Sequence, residues 1–247
     1  MAKYAHDTIV PDEGSKLEKK DQVAKMFDSI AYRYDFLNRF LSVGTDVGWR
    51  KKAIAELKPL QPRKVLDVAT GTGDMAILTY SILRPEKITG IDISAGMLEV
   101  GRKKIEAKSL SGHIELLTGD SETIKFPDDS FDAITVAFGV RNFQNLENGL
   151  REMRRVLRPG GRLVVLEFSR PQNIFFKGIY SLYMNVIAPG FGKMFAKNKK
   201  AYRYLNQSVQ AFPERQNFIN ILKSAGYRDT YYKTLSLGIC SIYCGSK

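Results

Sequence analysis

The sequence predicts an α/β fold: a mostly parallel sheet, helices on both faces, and an antiparallel hairpin at the end. Three observations carry this. Between residues 64 and 168, short apolar runs alternate with stretches of helical periodicity, the rhythm of strand-helix-strand crossovers. Those runs are rich in Val, Ile and Leu, as strands buried on both faces are. After residue 212 the order changes, and a helical stretch is followed by two adjoining strand-like runs.

Taken in order, residues 1–20 are polar and mixed in charge and read as a flexible tail. Residues 21–31 form an amphipathic helix. Residues 49–57 form another, with Ala53, Ile54 and Leu57 inward and Pro59 and Pro62 ending it. Strands are expected at 65–68, 88–93, 114–118, 133–137 and 162–168. Helices are expected at 74–83, 96–107 and 147–157, the last closed by Arg158, Pro159, Gly160 and Gly161. A helix over 215–224 then leads into strands 228–236 and 238–246, which meet at Leu237 and Gly238. The organisation is one domain over 21–247. It comprises a helical cap (21–62), a cofactor-binding core (63–169), an apolar and basic insertion (170–212), and the closing helix and hairpin (213–247).

A chain of 247 residues with 44% apolar and 26% charged residues has the make-up of a globular domain. No run of about 18 apolar residues suggests a membrane span, and the N-terminus lacks the apolar stretch of a secretory signal. Cys240 and Cys244, four apart on one strand face and so roughly 13 Å distant, cannot pair with each other, which suits a reducing, cytoplasmic setting. With two histidines, a histidine-rich metal site is not expected. The formal charge of +12 leaves nucleic acid, an anionic membrane surface or plain solubility as its explanation.

The chemistry begins at KVLDVATGTGD, residues 64–74. GTGDMA satisfies the G-x-G-x-x-G/A fingerprint, and Asp92 follows some twenty residues later, as in a nicotinamide-binding protein. The charge argues otherwise. Asp67 ends the strand, Asp74 opens the helix and Asp120 ends a later strand, so carboxylates ring the turn and would repel a pyrophosphate. They suit a neutral adenosine whose far end carries a sulfonium and an ammonium. Asp92 then accepts from both ribose hydroxyls, Thr70 and Thr72 offer hydroxyls at the amino-acid end, and Gly71 and Gly73 let the backbone approach closely. Asp67 and Asp74 could equally serve as element ends. Asp120 and Ser121 fall beside the adenine.

KVLDVATGTGD, GIDIS, GDSETIKFPDDSFDAIT and VLRPGGRLVVLEFS together resemble the Rossmann-like class I S-adenosylmethionine-dependent methyltransferases. VAKMFDSIAYRYDFLNRFLSVGTDVGWR, FGVRNF, LEFSRP and LSLGICSIYCG are similar, more closely, to the quinone-biosynthesis C-methyltransferases, over nearly the whole chain from residue 21. That resemblance implies a seven-stranded sheet with an antiparallel seventh strand, and S-adenosyl-L-methionine held at Thr72, Asp92, Asp120 and Ser121. It also implies methylation of demethylmenaquinol or of the benzoquinol precursor of ubiquinone. Some members carry a cofactor-binding serine before FG-x-RN, where this chain has Ala137.

The acceptor of such a transfer is an electron-rich quinol ring, and the protein's work is positioning, exclusion of water and removal of a phenol proton. Arg141, just past strand 133–137, is expected to stabilise the developing phenolate and Asn142 to fix a quinol oxygen. The resemblance supports Arg141 as catalytic, and a loop-closing salt bridge is its bland alternative. Tyr34, Asp35, Asn38 and Trp49 are further acceptor-side candidates. Residues 170–212 contain no acid. They join the apolar stretch 175–187 to Lys193, Lys197, Lys199, Lys200 and Arg203, which suits a lid over a prenylated quinol that also touches a membrane surface. RNA methylation and a non-catalytic binding subunit are the rival readings. Aliphatics interleaved with the basic residues argue against the first, so no nucleic-acid partner is expected. The intact candidate residues argue against the second.

Overall fold

The computed structural model describes residues 4–42, 44–171 and 199–247. Strands β1 (Lys64–Val68), β2 (Lys87–Asp92), β3 (Ile114–Thr118), β4 (Phe131–Ala137), β5 (Leu157–Phe168), β6 (Arg228–Leu235) and β7 (Cys240–Ser246) form one seven-stranded sheet. Its order is β3-β2-β1-β4-β5-β7-β6. The first five strands pair in parallel, and β7 runs antiparallel to both β5 and β6. The hairpin turn that reverses the chain carries positive φ at Leu237 and Gly238, +58° and +94°. The chain winds outward from β1 to β3 and returns to β4 on β1's other side. The carboxyl ends of β1 and β4 therefore splay their loops apart and open a crevice, the usual ligand position in such sheets.

Helices α1 (Lys19–Leu41), α2 (Thr45–Ala55), α3 (Asp74–Leu83), α4 (Ala95–Ala107), α5 (Leu146–Val156), α6 (Lys199–Ala211) and α7 (Gln216–Ser224) surround it. Ser94 caps α4 by accepting from Met97 N at 3.2 Å, and Asn145 caps α5 by accepting from Asn148 N at 3.1 Å. Such caps each stabilise a helix by about 1 kcal/mol. Alternation along the strands divides the core between the two faces. Leu66, Val68, Ile134 and Val136 face Leu150, Met153 and Phe218 of α5 and α7. Val65, Ala133 and Val164 face Ile54, Met75 and Leu98 of α2, α3 and α4. A smaller cluster, Val23, Met26, Ala201 and Tyr204, joins α1 to α6.

Three local expectations are corrected. Helix α1 runs through YRYDFLNRFL to Leu41 instead of stopping near residue 31, because Met26 and Ala31 stay buried and nothing in that stretch breaks a helix. From residue 4, where description begins, the segment expected to be a flexible tail makes anchored contacts. His6 is fully buried, Lys19 nearly so, and the Tyr4 hydroxyl donates to Glu147 Oε1 at 2.5 Å. Arg158 to Gly161 already belong to β5, with a register irregularity opposite Phe131 and Ala133. The apolar stretch 175–187, Lys193 and Lys197 lie outside the described residues, as do the side chains of Asn38, Lys199 and Lys200.

Candidate functional site

The loops after β1, β2, β3 and β4 meet in a cleft of about 660 Å³, open mouth included, closed on one side by α1. Gly71 and Asp92 line it from the core, Asp120, Ser121 and Glu122 from the loop after β3, and Ala137 to Gly139 with Asn142 from the loop after β4. Val23, Phe27 and Tyr34 of α1, with Ile93 and Met97, supply an apolar wall.

The turn after β1 is built by conformation and by bracing from below. Ala69, Gly71 and Gly73 take φ of +52°, +56° and +77°, which lets the chain reverse sharply. Asp67 sits beneath, 1% exposed, accepting from Thr70 Oγ1 at 2.5 Å and from Thr135 Oγ1 at 2.6 Å. Burial pushes its carboxyl up to about 6 against those hydrogen bonds. Both Asp67 and Thr70, expected on the cofactor, are spent on each other and stay out of the cleft lining. Gly73 begins α3 with its open side against Leu116 and Ile105, again away from the cleft. Gly139 is needed where the loops abut, since a Cβ there would lie 2.5 Å from that of Ala69.

Asp92 stands where the sequence predicts it, half-buried at the end of β2. Its oxygens accept from Gly71 N at 2.8 Å and Ser94 N at 2.9 Å. A carboxylate has about four acceptor sites, so the set is not exhausted and can still take a ligand hydroxyl. Burial raises its carboxyl above the ordinary range. Asp120 accepts from Glu122 N at 2.9 Å and pairs with Lys20 of α1 at 3.4 Å, an ion pair no sequence pattern announced.

Thr72 points elsewhere. It is 2% exposed and donates to Asp35 Oδ1 of α1 at 2.5 Å. Lys104 Nζ gathers this group, donating to Asp35 Oδ2 at 2.7 Å, to Thr72 Oγ1 at 3.1 Å and to Asp74. Asp35, expected at the acceptor, and Asp74 are thus tied up in fastening α1 to the turn. A second fastening lies one turn from the cleft: Asp28 Oδ1 accepts from Ser94 Oγ at 2.6 Å and Gly96 N at 2.8 Å.

On the β4 side, Asn142 lines the cleft and Arg141 lies behind it, 4% exposed. Arg141 Nη1 donates to Glu167 Oε1 and to Phe138 O, each at 2.6 Å, so the loop-closing ion pair forms. The Tyr204 hydroxyl of α6 donates to Asn142 Oδ1 at 3.1 Å. Trp49 is core, its Nε1 on Ser236 Oγ at 2.8 Å and its ring edge-on to Phe138 and Phe168. Tyr34, expected on the acceptor side, does line the cleft, whereas Glu167, Tyr204, Lys20 and Phe27 escaped the sequence reading. Only Glu167 left a trace there, an acid inside the apolar strand LVVLEF.

The cleft therefore offers a carboxylate with spare acceptor sites, a close-approaching glycine turn, an apolar wall and further acids. The model of the ubiE/COQ5 methyltransferase family matches residues 15–247. The chain belongs to that family. Two relatives show how evenly the likeness is spread. A demethylmenaquinone methyltransferase of Bacteroides fragilis is 45% identical over 244 residues, 99% of each chain. The ubiquinone/menaquinone biosynthesis C-methyltransferase UbiE of Geotalea daltonii is 46% identical over 232 residues, 93% of this chain and 98% of its own. Among solved structures, a SAM-dependent methyltransferase of Thermotoga maritima, described as a possible histamine N-methyltransferase, superposes with a TM-score of 0.63 at 18% identity, covering 91% of this chain and 99% of its own. The [4+2]-cyclase SpnF gives 0.61 at 18% identity over 92% and 96%. Identities this low show a shared fold alone, and the family assignment rests on the sequence relatives.

Proposed function

We propose that this member of the family C-methylates a prenylated quinol, converting demethylmenaquinol to menaquinol at the expense of S-adenosyl-L-methionine. The residues fit that cofactor. Asp92 keeps acceptor sites for sugar hydroxyls, Val23, Phe27 and Met97 suit a purine, and the surrounding acids favour a cation over a pyrophosphate. When bound, S-adenosylmethionine supplies an electrophilic methyl group on a sulfonium.

The protein's own residues supply the rest. Asp92, Gly71, Asp120 and Ser121 hold and orient the cofactor, while Asp67 and Thr70 keep the turn in shape from below. Asn142, steadied by Tyr204, presents its amide to a quinol oxygen. Arg141, immediately behind, contributes positive charge where the ring's hydroxyl loses its proton. Helix α1 excludes water from one side, which strengthens each of these interactions. An apolar acceptor of this kind resides in a membrane, and no helix among the described residues is long and apolar enough to cross one. The reading thus includes a cytoplasmic protein that meets its substrate at the membrane surface, supported by the lysine-rich, acid-free stretch 170–212.

Family membership over residues 15–247 carries the proposal. The test is a strain lacking its own quinone methyltransferase, complemented with this chain, its quinones weighed by mass spectrometry. Conversion of the accumulated demethylmenaquinone to menaquinone, one methyl group richer, is the expected result. Methylated ubiquinone alone would move the acceptor to a benzoquinol. No methylation, from protein that binds S-adenosylhomocysteine, would sink the acceptor assignment.

A further inference from the structure

We infer that Glu167 is the positioning residue of the acceptor side, fixing Arg141 and the turn that carries Asn142. Glu167 sits at the carboxyl end of β5 and is fully buried. Its oxygens are committed. Oε1 accepts from Arg141 Nη1 at 2.6 Å and Phe168 N at 2.9 Å, and Oε2 accepts from Arg141 N at 3.4 Å. Fully buried, outside the cleft lining and already accepting from three donors, Glu167 is a mount and not the base that removes a phenol proton.

The mounting is specific. Glu167 grips Arg141 at both side chain and backbone, and Phe138 O takes a second bond from the same Nη1. The guanidinium carbon lies 5.4 Å from the centre of the Phe168 ring, which stacks on Phe138 at 4.5 Å. Among the described residues, the buried Arg141 Nε has no hydrogen-bond partner. The next residue, Asn142, lines the cleft.

Stability alone gives little reason for this pair. Burying two charges costs desolvation that their attraction barely repays, and apolar replacements are often as stable. At a cleft wall, however, a rigid cation has a use. A displacement of about 1 Å near reacting atoms lowers turnover by roughly 10²-fold. Glu167 supplies the fixed geometry, and its negative charge keeps the buried guanidinium next to a compensating partner.

The inference rests on the reading of Arg141 as the acceptor-side cation, and its test separates the two. Initial rates are measured for Glu167→Gln, Glu167→Asp, Arg141→Gln and the Glu167→Gln/Arg141→Gln double variant, with S-adenosylmethionine and a short-prenyl demethylmenaquinol in detergent. S-adenosylhomocysteine affinity is followed by calorimetry and folding by thermal melting. Glu167→Gln is expected to lower kcat by roughly 10–10²-fold, with cofactor affinity unchanged and the quinol KM little altered. Glu167→Asp, which keeps the charge one methylene short, is expected to lose less, and it serves if the Gln variant folds poorly. The double variant is expected to be no slower than Arg141→Gln alone. Losses that multiply in the double variant, or a wild-type kcat in Glu167→Gln beside an impaired Arg141→Gln, would overturn the positioning role. Full turnover in Arg141→Gln would instead remove the reading of Arg141 itself.

Discussion

At the scale of single residues, Asp92 is a carboxylate that braces the fold from within the cleft lining. It holds Gly71 N and Ser94 N, and so shapes the two loops that a ligand would touch. Asp92→Ala should weaken S-adenosylhomocysteine binding by roughly 1.5–3 kcal/mol, the loss of hydrogen bonds to a charged acceptor. A near-wild-type Kd by calorimetry would place the ribose elsewhere. The pH dependence has a definite sign. Burial raises the Asp92 carboxyl, and the protonated form is the poorer acceptor, so cofactor affinity should fall as pH drops through that raised value. Asp67 shows the contrasting case of an acid beside a glycine turn that is wholly consumed by Thr70 and Thr135. In sequence the two aspartates look alike; the sheet register separates their roles, since Asp67 lies level with Gly90, inside the sheet, and Asp92 two residues further on, at the strand's end.

At the scale of elements, α1 is the piece whose behaviour matters most. It covers the cleft with Val23, Phe27 and Tyr34, yet two aspartates fasten it, Asp28 to the start of α4 and Asp35 to Thr72 and Lys104. These half-exposed polar contacts are worth roughly 1 kcal/mol apiece. A cover held by a few kcal/mol opens on the timescale of local fluctuations. The double variant Asp28→Ala/Asp35→Ala should speed S-adenosylhomocysteine release several-fold in stopped-flow traces and raise amide hydrogen exchange across residues 19–41. Unchanged exchange there would mean that α1 is secured by its apolar contacts with α6 and not by the aspartates.

Over the whole molecule, the N-terminal segment acts as a strap. Tyr4 reaches Glu147 on α5, the His6 ring packs edge-on against Phe212 at 5.9 Å, and Lys19 Nζ donates to His6 O at 2.6 Å. Among the described residues, the His6 ring nitrogens make no hydrogen bond, with Asp7 Oδ1 3.3 Å from Nε2. Burial, with Lys19 nearby, lowers its pKa from 6.5 to about 4. The fold therefore prefers neutral His6, and this contribution to stability is lost as pH falls from about 6.5 towards 4. Asp67, raised to about 6, opposes this in part, since the fold takes up its proton earlier than the unfolded chain does. Comparing wild type with His6→Phe cancels the Asp67 effect. The wild type should lose up to about 3 kcal/mol relative to the variant over that window in urea titrations. Parallel pH profiles would show that His6 is solvated.

The sequence by itself determined the alternation of strands and helices, the closing hairpin, the glycine turn and the family. Those properties follow from hydrophobic period, turn chemistry and motif spacing, all local along the chain. It also placed Asp92, Asp120, Ser121 and Asn142 at the cleft, because residues just past the carboxyl ends of parallel strands gather on one side of the sheet. Only the tertiary structure decided which neighbours compete for each side chain. It gave Asp67 to Thr135, Thr72 to Asp35 across 37 positions, and Arg141 to Glu167 across 26. It anchored the N-terminal segment, because His6 packs against Phe212 and Tyr4 reaches Glu147, both far along the chain. Side-chain partners are chosen by the crossing of elements distant in sequence, and that information appears only once the sheet has brought them together.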